Sequence, residues 1–437
     1  MRSCLQRYQW RWLTGVLFGV LLGVHLAQAS WSGTAAQAAD WPAFRGPTLN
    51  GVAAETKAPT TWAEDRNIRW KSALPRPGNG SPIVVGDHVY VTSAEDSDGK
   101  GRSLYCFDAA TGAKKWTRTV TASRKFATHD TNPYCGTTPV ATPDRVVVWH
   151  ASAGLHCYDR DGKPIWSRDL GEFEHMWGYG TSPILHAGRV ILHSGPGKRV
   201  LLSAFDLATG NTIWETDEPL DGDADRNQAG KYHGSWTTPV IARVGGEEHL
   251  VVAMPTRVVG YRPSDGKTLW WCEGTSHSRG DLAYSSPLVA GDVLFFTGGF
   301  NGASFAMRLG GAGNVTETHR LWRKENNPQS IGSGVVVGDY VYRPNAGPGT
   351  IECFEPATGK VRWTQRAGVA YWASLVQVGD LLYGIDQDAA TVVFRANPDK
   401  FEQVAVNKLA GNCNATPAVS GGRLFIRTEK ALVCIGE

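Results

Sequence analysis

SPIVVGDHVYV (residues 81–91) and LYCFDAATGAKKW (104–116) together decide the fold of this chain. The first reads as a short strand, a Gly-Asp turn and a second strand. The second reads as a third strand, a Thr-Gly turn and a fourth strand closing on Trp116. Tryptophans ending similar phrases stand at Trp70, Trp116, Trp166, Trp214, Trp270, Trp322 and Trp363, spaced by 46, 50, 48, 56, 52 and 41 residues. Four strands in a unit of about 40–50 residues are one blade of a β-propeller.

The repeated turn has its own logic. In FDAATGAKKW (107–116), FDLATGNTIW (205–214) and FEPATGKVRW (354–363), Asp108, Asp206 and Glu355 can accept hydrogen bonds from turn amides. Gly112, Gly210 and Gly359 can take positive φ. The Trp four residues after each glycine is then expected to dock on the adjacent blade, so all seven are read as structural.

Eight inner-strand starts can be placed, at Ser81, Thr138, Ser182, Thr238, Ser286, Ser333, Ser374 and Thr416. The count closes if residues 416–436 supply three strands of the last blade and NIRWKSAL (67–74) supplies the fourth, which leaves the ring no open edge. The seventh blade ends at Leu409, where a Trp is expected. The fold class is therefore all-β, an eight-bladed propeller over residues 40–437. Residues 1–39 read as a signal peptide and linker: Arg2, Arg7 and Arg11 precede an apolar run from Leu13 to Leu26, with small-residue cleavage sites after Ala29 or Ala38. Taking those three arginines from 44 basic residues leaves 41, equal to the 41 acidic ones, so nothing in the charge points to nucleic acid or a membrane surface. The expected location is the periplasm or cell envelope, as a monomer without a membrane span after cleavage.

Cys106, Cys157, Cys353 and Cys434 share one slot of the repeat, filled by Ala204 in the third blade and Gly260 in the fourth. Equivalent slots face different sheet interfaces, so these thiols are expected to be buried and unpaired. Cys135 and Cys413 each stand a few residues before a blade start, and a bond between them is not expected.

The Ala-x-Asp-x-x-Thr-Gly-x-x-x-Trp phrase behind a Ser/Thr-Pro-x-Val strand resembles the pyrroloquinoline quinone (PQQ) repeat family of eight-bladed propellers, as do the opening WPAFRGPTLNGV (41–52) and IRWKSALP (68–75). The resemblance implies one of two roles. Non-catalytic members, such as the BamB-type outer-membrane assembly factor, hold partners on their loops. Quinoprotein alcohol and sugar dehydrogenases hold PQQ and calcium over the axis and use an aspartate as base. This chain has neither the adjacent cysteines of the alcohol-oxidising type nor a Cys-X-X-Cys-His haem site. The binding or scaffold role is the favoured reading and the PQQ- and calcium-dependent dehydrogenase the alternative. The expected occupant of the site is a protein or a small polar ligand.

Propeller ligands bind at the mouth of the channel, on the loops leading into the innermost strands. Here those loops are rich in aromatic and polar side chains. RKFATHDTNPYCGTTP (124–139) offers His129 and Tyr134; GEFEHMWGYGTSP (171–183) offers His175, Trp177 and Tyr179. RNQAGKYHGSWTTP (226–239) adds Lys231, Tyr232, His233 and Trp236; TSHSRGDLAYSSP (275–287) adds His277, Arg279 and Tyr284; RAGVAYWASL (366–375) adds Tyr371 and Trp372. Asp130, Glu174 and Asp281, each near a histidine, are the candidates for a catalytic base. The four histidines stand 10, 8, 6 and 10 residues before their prolines, so different depths are expected and no metal site is assigned. Asp221, Asp223 and Asp225 resemble a calcium loop, but Tyr232 stands where its bidentate Glu is needed, and the run is read as solvated.

Overall fold

The computed structural model describes residues 39–437 apart from Leu220 and Ala224, so the expected signal peptide and Cys4 lie outside the described residues. Eight antiparallel sheets of four or five strands follow one another along the chain. Blade 1 runs from the inner strand Ile83–Val85 through His88–Ala94 and Gly101–Asp108 to the outer strand Lys114–Thr121. In the last blade Ala418–Ser420, Arg423–Arg427 and Ala431–Ile435 are completed by Ile68–Ala73 from the start of the chain. Trp70 sits opposite Cys434 in that pairing, which closes the ring as the repeat count predicts.

All eight blades bulge at one place, immediately beside the shared cysteine slot in the pairing of third and fourth strands. The extra residue sharpens the local twist of the outer strand. In the same register Trp116 faces Cys106, Trp166 faces Cys157 and Trp363 faces Cys353. A small side chain in the slot leaves room for the indole across the pair. All seven described cysteines, including Cys135 and Cys413, are buried free thiols.

Six of the seven tryptophans dock onto the next blade. Their indole N–H groups donate to main-chain carbonyls there: Trp70 to Ala109, Trp116 to Arg160, Trp166 to Leu207, Trp214 to Pro263, Trp322 to Pro356 and Trp363 to Asn397, at 2.8–3.1 Å. The turn glycine is needed because a Cβ on Gly112 would lie 2.5 Å from the Trp70 ring, with the backbone at φ +71°. Trp270 departs from the expectation. It is fully buried, donates to His249 Nδ1 at 3.0 Å within its own blade, and lies where a Cβ on Gly260 would come within 2.2 Å of the ring. Gly260 stands in the cysteine slot for that reason. A fifth strand, Gly313–Asn314, pairs alongside Trp270 and Trp271.

The missing eighth tryptophan is also placed differently. Ala405, not Leu409, occupies the Trp register opposite Val393. Trp62, from outside the repeats, is buried in the cluster that also holds residues of the seventh and eighth blades, and its main-chain N–H donates to Asn407 Oδ1 at 2.8 Å.

An inner strand exposes unpaired N–H groups to the channel, an edge that must be satisfied. The Ser/Thr at each strand start does this for its neighbour. Ser81 N–H donates to Thr138 Oγ1, Thr138 to Ser182, Ser182 to Thr238, Ser286 to Ser333, Ser333 to Ser374, Ser374 to Thr416 and Thr416 to Ser81, all at 2.9–3.1 Å. At the remaining joint Ser286 Oγ donates to the Thr238 carbonyl at 2.9 Å. The hydroxyls form a closed belt around the channel.

Below the belt, residues 41–53 cross from one side of the ring to the other. Trp41 pairs with Val84 and Pro42 accepts from Ala141 N–H, on blades 1 and 2. Arg45 then donates to the Gly334 carbonyl at 2.5 Å, and Gly51 and Ala53 bond to Gln377, on blades 6 and 7. Arg45 is fully buried, and burial alone lowers its guanidinium pKa to about 9. This strap is a floor for the channel.

Candidate functional site

Above the floor the channel widens into a cavity of about 410 Å³. Phe44 of the strap and seven of the eight belt residues line its base. One wall is aromatic. Trp177 packs against Tyr232, Phe300 and Trp236 with ring centroids 4.7, 5.2 and 5.8 Å apart, and Trp236 meets Tyr284 edge-on at 5.4 Å. This wall is braced from behind. Tyr232–Ser235 pairs in parallel with Gly280–Ala283, tying two mouth loops together, and Trp236 Nε1 donates to the Gly178 carbonyl at 2.8 Å. The remaining lining is polar: Asn79, His129, Thr131, Asn132, Gln329 and Asn414, with Ile331 and Trp372.

The expected residues divide into those at the cavity and those beneath or beside it. His129, Trp177, Trp236, Tyr284 and Trp372 line it. Tyr232 stands behind Trp177, with the Arg226 guanidinium 3.9 Å over its ring. His175 is buried under the wall, edge-on to Trp236 at 4.8 Å; burial lowers its pKa to about 4 and keeps it neutral. His233 and Tyr179 are half-buried, and desolvation lowers the pKa of the first and holds that of the second well above normal. Tyr134 donates to the Phe126 carbonyl at 2.6 Å and packs under Gly99, away from the cavity. Tyr371 lies in the core between blades 6 and 7, His277 is buried against Asn326, and Arg279 is solvent-exposed.

None of the three carboxylate candidates lines the cavity. Asp281 is buried and already accepts from Asn227 Nδ2 (2.7 Å), Ser276 Oγ (2.7 Å), His277 N–H (3.2 Å) and Lys231 Nζ (3.2 Å). It anchors Lys231 and the wall. Glu174 pairs with Arg124, which holds its pKa below the usual range, and Asp130 is exposed. In the acidic run, Asp223 and Asp225 accept main-chain N–H groups of Arg226 and Met176, and Asp221 accepts that of Gln228. Among the described residues no group of three or more His, Cys, Asp or Glu is assembled as metal ligands.

Phe44, Phe300, Asn79 and Gln329 complete the site without having been singled out from sequence. Phe300 sits at the tip of a hairpin between second and third strands, in left-handed backbone at φ 50°. Asn79 donates to Thr131 O and Asn132 Oδ1, joining the two sides of the blade 1 to blade 2 joint. Phe44 and Phe300 come from outside the loops that lead into inner strands, whereas Asn79 and Gln329 stand on such loops, before Ser81 and Ser333, as amides without an aromatic or charged signal of their own.

A family model of PQQ repeats, described as outer membrane protein assembly factor BamB, matches residues 28–134 and 103–365. The chain belongs to this PQQ-like repeat family. A BamB from Burkholderia pseudomallei is 25% identical over 381 residues, 81% of this chain and 86% of that protein. A polyvinylalcohol dehydrogenase from a Pseudomonas species is 22% identical over 166 residues, and the chain spans only 24% of its length. Among solved structures, BamB from Moraxella catarrhalis superimposes with a TM-score of 0.59 at 13% identity, covering 84% of this chain and 99% of its own. The quinohemoprotein alcohol dehydrogenase from Comamonas testosteroni gives 0.63 at 12%, covering 91% and 81%. At such identities both structures establish the propeller fold.

Within the PQQ-like family a quinone cofactor is one occupant to weigh. PQQ is a tricarboxylate, and calcium takes six to eight oxygen ligands with carboxylates prominent. The cavity of this member is lined by no Asp, Glu, Lys or Arg. The residues present do not fit PQQ with calcium, because its charges would be stripped of water without partners.

Proposed function

We propose that this protein is a non-catalytic binding module of the cell envelope that receives its ligand or partner segment at the channel mouth. The observation that carries this reading is an aromatic and amide-lined cup above the strap that has no Asp, Glu, Lys or Arg in its lining, with Asp281 and Glu174 already paired elsewhere. The BamB-like relatives support the same role, and export fits the arginine-led apolar run at the start of the sequence. No helix among the described residues is long and apolar enough to cross a membrane. A monomer suffices, since the ring closes on its own first strand.

The test is a titration with PQQ and Ca²⁺ in the presence of an alcohol or sugar and an artificial electron acceptor. No PQQ binding at micromolar concentration and no acceptor reduction are expected. Turnover above the buffer rate would overturn the reading in favour of the dehydrogenase.

A further inference from the structure

We propose that the mouth cavity is a binding site for a neutral saccharide, its ring stacked on the Trp177 and Trp236 wall, with Trp372 on another lining segment, and its hydroxyls held by side-chain amides and the hydroxyl belt. The proposal rests on the reading of the mouth as a binding site and specifies what that site takes.

Three properties of the lining select this class. The first is the absence of formal charge from Asp, Glu, Lys and Arg. A phosphate, carboxylate or ammonium ligand would lose its hydration there and gain no opposite charge. The second is the density of neutral polar groups. Asn79, Asn132, Asn414 and Gln329 each bring an amide, which both donates and accepts. The belt adds donors: Ser81, Thr138, Ser333, Ser374 and Thr416 each accept a main-chain N–H at the oxygen and still have the hydroxyl hydrogen to offer the lumen. A hydrocarbon ligand would leave these groups unpaired at a cost. A sugar hydroxyl, donor and acceptor at once, answers both kinds of group.

The third property is the division of the walls. Trp236 spends its one polar atom on Gly178, so the ring meets the cavity with apolar surface alone. Amides and an additional indole lie on other lining segments. A pyranose has the matching division, with C–H faces and a hydroxylated rim. An extended peptide would dock instead by pairing with a strand edge. The belt takes up an N–H at the start of the inner strands, and residues 41–53 occupy further sites below it on blades 1, 2, 6 and 7. The volume of about 410 Å³ lies within the range of ligand pockets.

Intrinsic tryptophan fluorescence and calorimetry test this on the purified protein, with cellobiose, maltose, lactose and trehalose as probes, a broad neutral glycan array, and glucuronate and glucose 6-phosphate as charged controls. Saturable quenching by at least one neutral sugar is expected, with the charged analogues at least about tenfold weaker. Trp372→Ala and Gln329→Ala should each weaken binding roughly tenfold with unchanged circular dichroism. No saturable binding across the array, or undiminished binding by Trp372→Ala, overturns the saccharide assignment. If no glycan binds while Trp177→Ala abolishes capture of a protein partner, the saccharide assignment fails and the binding-module reading stands. PQQ-dependent acceptor reduction would sink that reading itself.

Discussion

The two ends of the channel are built by opposite means. The mouth is made by the repeats, each blade contributing a loop, and it is open and lined with side chains of moderate exposure. The floor is made by residues 41–53, which belong to no blade and are locked to four of them, by main-chain bonds to three and by the Arg45 side chain to the fourth. Repetition supplies a frame with room at one end. The segment that breaks repetition seals the other end, then supplies Trp62 and the closing strand. Tolerance to change should therefore differ sharply between the two ends.

The largest effect is expected from the segment that continues the floor. Deleting residues 62–74 removes the fourth strand of the last blade together with Trp62 and Trp70, exposing a sheet edge. The truncated protein should aggregate, or melt more than ~10 °C below the parent in scanning calorimetry. An unchanged melting temperature would mean that the ring does not need its splice.

Acid should separate the two ends next. Burial lowers the pKa of His175, under the mouth wall, and of His193, in blade 3, to about 4 in the folded protein. Their unfolded value is about 6.5, so between pH 6.5 and 4 the unfolded chain binds more protons and stability falls as pH falls. The limiting slope is about 1.4 kcal/mol per pH unit for each histidine. Urea midpoints at pH 7, 6 and 5 measure it. Hydrogen exchange at pH 5 should show residues 173–183 losing protection before residues 41–53; the reverse order would break the comparison.

The smallest effects come from one glycine at each end. Gly46, at φ +82° in the floor, would place a Cβ 2.9 Å from the Trp41 ring. Gly46→Val should cost about 2 kcal/mol through strain and crowding. Gly180 lines the mouth, and the nearest atom to a Cβ there is 3.7 Å away. Gly180→Ala should change stability by less than about 0.5 kcal/mol. Equal losses in urea unfolding would show that the mouth is as tightly specified as the floor.

Local pattern was enough for what repeats. The alternation in SPIVVGDHVYV, the Thr-Gly turns and the tryptophan spacing give eight blades, the splice at Trp70 and the buried cysteines. Strand period and turn chemistry are properties of neighbouring residues, and a periodic sequence shows them several times over. The site was legible only in part. Trp177, Trp236, Tyr284 and Trp372 stand just before inner strands, where the ring geometry sends side chains to the axis. His175 and Asp281 looked alike in sequence but are buried supports, because depth along a loop depends on the path that neighbouring loops leave open.

By itself the sequence determined the blade count, the register and the route by which the chain closes, since each follows from hydrogen-bonding period and from apolar residues that must find cover. Only the tertiary structure decided that WPAFRGPTLNGV is the floor, that Trp62 packs into the cluster shared with the seventh and eighth blades, and that no Asp, Glu, Lys or Arg lines the mouth cavity. Those outcomes depend on contacts between residues far apart in the chain, 289 positions for Arg45 with Gly334 and 345 for Trp62 with Asn407. No local pattern encodes such a contact; it exists once the ring has brought its two sides together across the channel.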